Sequence, residues 1–231
     1  MVSSENTDQW QLGYYEHPLP TQPNGYPNGW MSASDLRLLY NVARRSTGDV
    51  LEVGPWLGRS TTAIASGLRD RAAAGTMPVM FDTVDYGITS AEEWQRRFGQ
   101  PLKFAKDKGR TVEAVYHPGG TIAVLIRNLK ANALLEHVTN VIRGDFNNSP
   151  IARSYSMIFC DATHDEEEIR KNLPRLSELG GEGCVFVFDD IVTQEHADLV
   201  CSYLNASRHF MTRSMFPEPG KRCKLLLVET G

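Results

Sequence analysis

The stretch Val50-Leu51-Glu52-Val53-Gly54-Pro55-Trp56-Leu57-Gly58-Arg59-Ser60-Thr61 decides the fold. Val50–Val53 reads as a short buried strand, bounded by Gly48-Asp49 before it and Gly54-Pro55 after it. Ser60, Thr61 and Thr62 are cap-type residues, and Ala63, Ile64, Ala65 and Leu68 follow them, so a helix is expected from Ser60. A buried strand, a glycine turn and a helix N-terminus make a natural place for a polar ligand. Glycine lets a ligand approach the backbone, and the first-turn N–H groups have no partners inside the helix.

A dinucleotide fingerprint, G-x-G-x-x-G, would need its second glycine where Trp56 stands. A pyrophosphate would have to pass that indole, which disfavours a nicotinamide cofactor. An ordinary strand-to-helix turn remains the alternative for two glycines taken alone.

Working outward, 231 residues suffice for one α/β domain, and 41% hydrophobic with 23% charged residues is ordinary for a globular chain. A net charge of −4 argues against a non-specific nucleic-acid binder, which would carry a basic stripe. No apolar run is long enough for a membrane span, and Met1–Pro20 is too polar for a secretory signal. The four cysteines, Cys160, Cys184, Cys201 and Cys223, form no C-x-x-C pair, and two of them lie in apolar strand-like runs. Buried reduced thiols and a cytoplasmic protein are expected.

Residues 1–33 read as an arm or lid without helical period, rich in Pro, Asn, Gly and aromatics, among them Trp10, Tyr14, Tyr15, Tyr26 and Trp30. It is expected to pack on a substrate mouth, on a partner subunit in a homo-oligomer, or on its own domain. The remainder, 34–231, reads as a single domain. Helices are expected at Ser34–Arg45, from Ser60, at Thr121–His137, Glu166–Leu176 and Gln194–Leu204. Strands are expected at Pro78–Val84, Val138–Ile142, Ser156–Cys160 and Cys184–Phe188. Arg208–Met215 and Lys224–Glu229 complete the set as an antiparallel hairpin turning at Phe216-Pro217-Glu218-Pro219-Gly220. The fold class is thus α/β, a Rossmann-like doubly wound sheet of about seven strands, mostly parallel. The segment 87–120, with helix-like stretches at Ala91–Phe98 and Leu102–Lys108, is longer than a crossover needs and reads as a cap-like insertion.

Acids stand at the strand ends. Asp85 closes the second strand, where such topologies hold ribose hydroxyls, and Asp82 competes from three residues earlier. Asp145, followed by Phe146, closes the third. Asp161 closes the fourth and Asp189-Asp190 the fifth. Three carboxylates on neighbouring tips repel one another unless protonated or neutralised by a cation, and oxygen ligands suit Mg²⁺, Ca²⁺ or Mn²⁺. The alternative is that Asp189 and Asp190 cap the next helix.

The pattern apolar-Glu-apolar-Gly-x-x-x-Gly-x-Ser resembles the first motif of class I S-adenosylmethionine-dependent methyltransferases, and five strand–helix units closed by a hairpin is their arrangement. In detail the chain is similar to the catechol and caffeoyl-coenzyme A O-methyltransferases and to small bacterial natural-product O-methyltransferases. Asp161-Ala162-Thr163-His164 approximates the Asp-Gly-Asp-His of the last group. The resemblance spans Val50 to about Ile191. It implies an O-methyltransferase using S-adenosylmethionine and Mg²⁺, or another oxygen-preferring divalent ion, on a small hydroxylated acceptor. By the same resemblance Glu52, Gly54, Trp56 and Gly58 belong to the cofactor site, with Ser60 on the methionine carboxylate and Asp85 on the ribose. Asp145 would meet the adenine edge, Phe146 would stack on adenine or simply pack, and Asp161 would border the cofactor. Asp161, Asp189 and Asp190 would hold the metal, and His164 or Asp161 would take the proton. A metal-independent N- or C-methyltransferase and a non-catalytic S-adenosylmethionine-binding protein are the other two classes.

Overall fold

The structure is a computed structural model that describes residues 4–104, 108–215 and 223–231. Its frame is a seven-stranded sheet: β1 (Val50–Val53), β2 (Phe81–Asp85), β3 (Asn140–Arg143), β4 (Tyr155–Cys160), β5 (Gly180–Phe188), β6 (Ala206–Met211) and β7 (Leu226–Thr230). Their order is β3-β2-β1-β4-β5-β7-β6. The first five run parallel, and β7 enters antiparallel between β5 and β6. The Rossmann-like mixed sheet read from the sequence is the architecture observed. The turn expected at Phe216–Gly220 lies outside the described residues.

Both faces of the sheet are covered, which is why its strands are continuous apolar runs and not alternating ones. In β4, Met157 and Phe159 pack on one face while Ile158 and Cys160 pack on the other. β7 and its lead-in divide likewise, Leu225 and Leu227 against Leu226 and Val228. The first face meets α2 (Ala33–Arg45), α3 (Arg59–Ala73) and α6 (Gly120–Ala131); the second meets α7 (Glu166–Leu179) and α8 (Gln194–Tyr203).

Several expected bounds move for local reasons. The arm does contain a helix, α1 (Ser4–Gly13), contrary to the reading of no helical period. From its last turns Trp10 Nε1 donates to Glu229 Oε1 at 2.9 Å, Tyr14 just after it also bonds Glu229, and both rings pack against Phe210. This end of the arm packs on its own domain. The helix expected through His137 stops at Ala131, where Ala133 takes a left-handed φ of 53° and a 3₁₀ turn, Leu135–His137, follows. β6 stops at Met211 because Thr212, fully buried, gives its hydroxyl to Asp35 Oδ1 at 3.0 Å and turns the chain into α9 (Thr212–Met215). In 87–120, α4 (Ala91–Phe98) matches its expected span. The second stretch is a 3₁₀ turn, Leu102–Phe104, with α5 (Lys108–Tyr116) beyond, and 105–107 lie outside the described residues. Among the described residues no helix is long and apolar enough to cross a membrane.

Candidate active site

At the carboxyl edge of the sheet the hydrogen-bond ladder runs one residue past the strands. Gly54 N donates to Val84 O at 2.9 Å, Asp161 N to Val53 O at 2.8 Å and Asp189 N to Cys160 O at 2.9 Å. The turns after β1, β4 and β5 are thereby held side by side. Above them opens a cleft of ≈ 1210 Å³, and Gly54, Asp85, Asp145, Asp161, Asp189 and Asp190 all line it. A polar cleft at the carboxyl edge of a doubly wound sheet is where such folds bind ligands.

Two non-glycine residues of the cleft wall have left-handed backbones, Trp56 at φ 51° and Asp190 at φ 59°. Such conformations cost free energy and persist where surrounding structure enforces them, often at functional sites. Gly54, at φ 85°, could not be replaced easily, because a Cβ there would lie 2.7 Å from the Asp161 carbonyl oxygen. The β1 and β4 turns touch through this glycine.

The first motif works differently from its sequence reading. Glu52 is fully buried and accepts hydrogen bonds from Ser60 Oγ at 2.6 Å, Thr61 Oγ1 at 2.7 Å and Thr83 Oγ1 at 3.0 Å. Burial pushes its carboxyl up to about 7, against the pull of those hydroxyls. Glu52 and Ser60 are absent from the cleft wall. Ser60, expected on the methionine carboxylate, here donates its hydroxyl to Glu52, tying the start of α3 to β1. Gly58 likewise lies off the cleft wall. Its φ of 93° opens α3, and a Cβ there would strike Leu125 Cδ1 at 2.7 Å, not ligand space.

At the β2 tip, Asp85 faces the cleft, and its Oδ1 accepts from Gly87 N at 2.7 Å. Burial raises its carboxyl's pKa, while the Gly87 and Trp56 N–H groups oppose the shift. Asp82, its competitor, is buried instead against Tyr155, whose hydroxyl donates to Asp82 Oδ2 at 2.8 Å. Asp145 Oδ1 caps the turn of Phe146–Asn148 by accepting from Asn147 N at 3.0 Å. Phe146 lines the cleft from below, with 4% of its surface exposed and its ring in the α7/α8-side core.

On the other side, Asp165 and Thr193 cap α7 and α8, so Asp189 and Asp190 cap neither. Asp189 Oδ1 accepts from Asp190 N at 2.9 Å, and Asp189 Oδ2 lies 2.8 Å from Lys224 Nζ. Lys224 Nζ is also 2.8 Å from Asp190 Oδ1. Burial and the neighbouring Asp189 raise the Asp161 carboxyl well above the usual range. Asp189 is raised by burial, with Lys224 opposing. Burial draws Lys224 down, but Asp189 and Asp190 outweigh it and hold the ammonium above the ordinary lysine range.

Of the three acids expected to hold a metal, Asp189 has a hydrogen bond within the chain on each of its oxygens. The atoms that converge belong to Asp161, His164 and Asp190, within 4.8 Å of one another. His164 Nδ1 is 2.8 Å from Glu168 Oε2, and its Nε2 lies 3.8 Å from Asp161 Oδ1 and 3.7 Å from Asp190 Oδ2. With Nδ1–H given to Glu168, Nε2 is the nitrogen left to accept a proton.

The sequence reading named Trp30 and Trp56 but missed Lys224, Glu168 and the part of the aromatic wall that comes from the insertion. Trp30 from the arm and Trp94 and Phe98 from the insertion line the cleft beside Trp56. Ring centroids are 6.4 Å apart for Trp30–Trp56, 5.9 Å for Trp56–Trp94 and 4.2 Å for Trp94–Phe98. The uncompensated charge of three adjacent acids was a signal for Lys224, since a cation had to come from somewhere.

Solved structures share this architecture at low identity. TomG, an O-methyltransferase of Streptomyces achromogenes involved in tomaymycin synthesis and solved with S-adenosylmethionine, is 14% identical. It aligns over 100% of both chains with a TM-score of 0.54. An O-methyltransferase of Bacillus cereus in complex with S-adenosylhomocysteine is 13% identical over 100% of this chain and 93% of its own, with a TM-score of 0.51. A S-adenosylmethionine-dependent O-methyltransferase of Thermotoga maritima is 12% identical over 88% and 67%, with a TM-score of 0.56. These likenesses establish the fold. No curated protein matches the chain. A family model described as a methyltransferase domain matches residues 51–191, well over half of the chain, which therefore belongs to that family, among the class I S-adenosylmethionine-dependent methyltransferases.

Proposed function

We propose that this protein is an O-methyltransferase that methylates a hydroxyl of a small, flat acceptor. The observation that carries the reading is His164. Its Nδ1 is fixed by Glu168, and its Nε2 faces the cleft floor beside Asp161 and Asp190. An imidazole so held can take a hydroxyl proton, and the surrounding carboxylates offset the charge it gains. The aromatic wall of Trp30, Trp56, Trp94 and Phe98 supports a flat acceptor, since stacked rings hold planar groups in one orientation.

The donor set fits the cofactor. Gly54 lines the cleft at the β1 turn, and Asp85 offers a buried carboxylate suited to a pair of hydroxyls. Asp145 and Phe146 supply a polar edge and an apolar floor at the next tip. S-Adenosylmethionine supplies an electrophilic methyl group on a sulfonium. In the transfer the methyl–sulfur bond breaks as a methyl–oxygen bond forms, and the hydroxyl proton goes to His164 or Asp161. The chain's part is to hold the acceptor oxygen in line and keep water away.

A metal-assisted form is the second reading, favoured by the convergence of Asp161, His164 and Asp190. Mg²⁺, the ion expected from the sequence, prefers all-oxygen shells; one imidazole nitrogen suits Mn²⁺ better. A bound divalent ion would act as a Lewis acid on the acceptor oxygen.

The test is calorimetric titration with S-adenosylmethionine, followed by methyl transfer to a panel of hydroxylated aromatic acceptors with and without EDTA. O-Methylated product, with turnover about 10²–10⁴-fold lower in His164→Ala at unchanged cofactor affinity, is the expected result. Methyl found only on nitrogen or carbon would overturn the choice of acceptor atom. Cofactor binding without turnover on any acceptor would instead support a non-catalytic binding protein.

A further inference from the structure

The parallel strands bring Asp161, Asp189 and Asp190 to one edge, and such a group is stable only with positive charge among them. The topology itself delivers one. β7 pairs antiparallel with β5 as far as Leu226 opposite Phe188, so Lys224, two residues before Leu226, and Asp190, two residues after Phe188, both leave the sheet at the same edge. The start of β7 thus brings the lysine to the acids, and two carboxylate contacts hold its end. Its Nζ stands 2.8 Å from Asp189 Oδ2 and 2.8 Å from Asp190 Oδ1, and its side chain is 13% exposed. Two of the three ammonium donors are spent on these carboxylates, and the residue lines the cleft.

We propose that Lys224 is the resident cation of this site, standing in the acidic cluster where a divalent ion was expected and turning its remaining N–H toward the acceptor oxygen. A compact ammonium is a point charge of the kind this position requires. It is also a weaker polariser than a divalent ion, so proton removal falls to His164. The acceptor oxygen and the part given to His164 rest on the proposed function; the placement of the charge does not.

The test is a Mn²⁺ titration of the chelator-stripped full-length protein, read by the loss of the free-ion paramagnetic resonance signal. The wild-type chain is expected to show no saturable site below about millimolar Mn²⁺. Lys224→Met should bind about tenfold tighter or more, because its two carboxylates lose their counter-charge. Lys224→Arg should behave as wild type. One Mn²⁺ per wild-type chain at micromolar concentration would overturn the proposal. So would a folded Lys224→Met, judged by its circular dichroism and melting, that binds Mn²⁺ no tighter than wild type. If Lys224→Met does not fold, the wild-type and Lys224→Arg titrations decide. Calorimetry with S-adenosylmethionine runs in parallel. Loss of that binding in the wild-type chain would sink the proposed function, while the Mn²⁺ result would still judge Lys224.

Discussion

Over β1–β3 the cleft is walled by residues that the chain supplies within a strand, a turn and the neighbouring tips. Gly54 and Asp85 stand at the tips of adjacent strands, and beneath the wall Glu52 reaches no further than Ser60, Thr61 and Thr83. The rest of the wall is gathered from the whole length: Trp30 from the arm and Trp94 from the insertion beside Trp56, Asp161 and Asp190 from the β4 and β5 tips, and Lys224 from the lead-in to β7. The first half is a nearly self-contained unit, and a sequence motif can describe it. The second is a product of topology, and its chemistry can vary while the fold stays constant.

The largest effect should come where the halves touch. Gly54→Val puts a branched Cβ against the Asp161 carbonyl, a backbone atom that cannot swing away, at a left-handed φ. We expect loss of cofactor binding together with a large drop in stability, read by calorimetry and thermal melting. Gly58→Ala meets only the end of Leu125, so its cost is about 1–3 kcal/mol of stability from φ strain, with cofactor affinity nearly unchanged. A folded Gly58→Ala that binds no S-adenosylmethionine would return this glycine to the ligand site.

The next pair separates the halves by readout. Asp85→Ala should weaken cofactor binding by about 1–3 kcal/mol, the usual loss for a hydrogen bond to a charged group, and spare the acceptor's Michaelis constant. Trp30→Ala should do the reverse, raising that constant several-fold through lost stacking worth about 0.5–1.5 kcal/mol. If both variants moved both constants equally, the division of the cleft would fail.

How far the sequence could be read follows the same line. β1, the glycine turn, α3 and the order of the later strands were legible because buried parallel strands are short apolar runs closed by polar tips. The acids at those tips were legible as residues, yet their partners were not. Whether Ser60 points at a ligand or at Glu52 depends on which face of β1 carries the carboxylate, and here it is the face beneath α3. Lys224 looked like the start of a strand, because its meaning depends on a contact between segments more than thirty residues apart. The helix in the arm escaped because α1 carries little amphipathic pattern and its anchors, Trp10 and Tyr14, find Glu229 at the far end of the chain.

The smallest effect tests the claim that Glu52 is an internal strut of the first half and touches no ligand. Its carboxyl is raised by burial to about 7 in the folded chain, against about 4.3 when unfolded. Between those values the unfolded state has released a proton that the folded state keeps. Stability must therefore fall as pH rises through this window, by at most about 1.4 kcal/mol per pH unit, and level off above it. Glu52→Gln cannot ionise and keeps an oxygen for two of the three hydroxyls, so its stability should lack this component. Asp35, raised by burial to about 6, contributes a decline of the same sign but is common to both proteins and cancels in their difference. Urea unfolding at several pH values between about 4.5 and 7.5 measures that difference directly. Parallel curves for the two proteins would mean that Glu52 is ionised in the folded state throughout. A Glu52→Gln variant that lost as much cofactor affinity as Asp85→Ala would make Glu52 a ligand contact after all, whereas a strut should leave that affinity almost untouched.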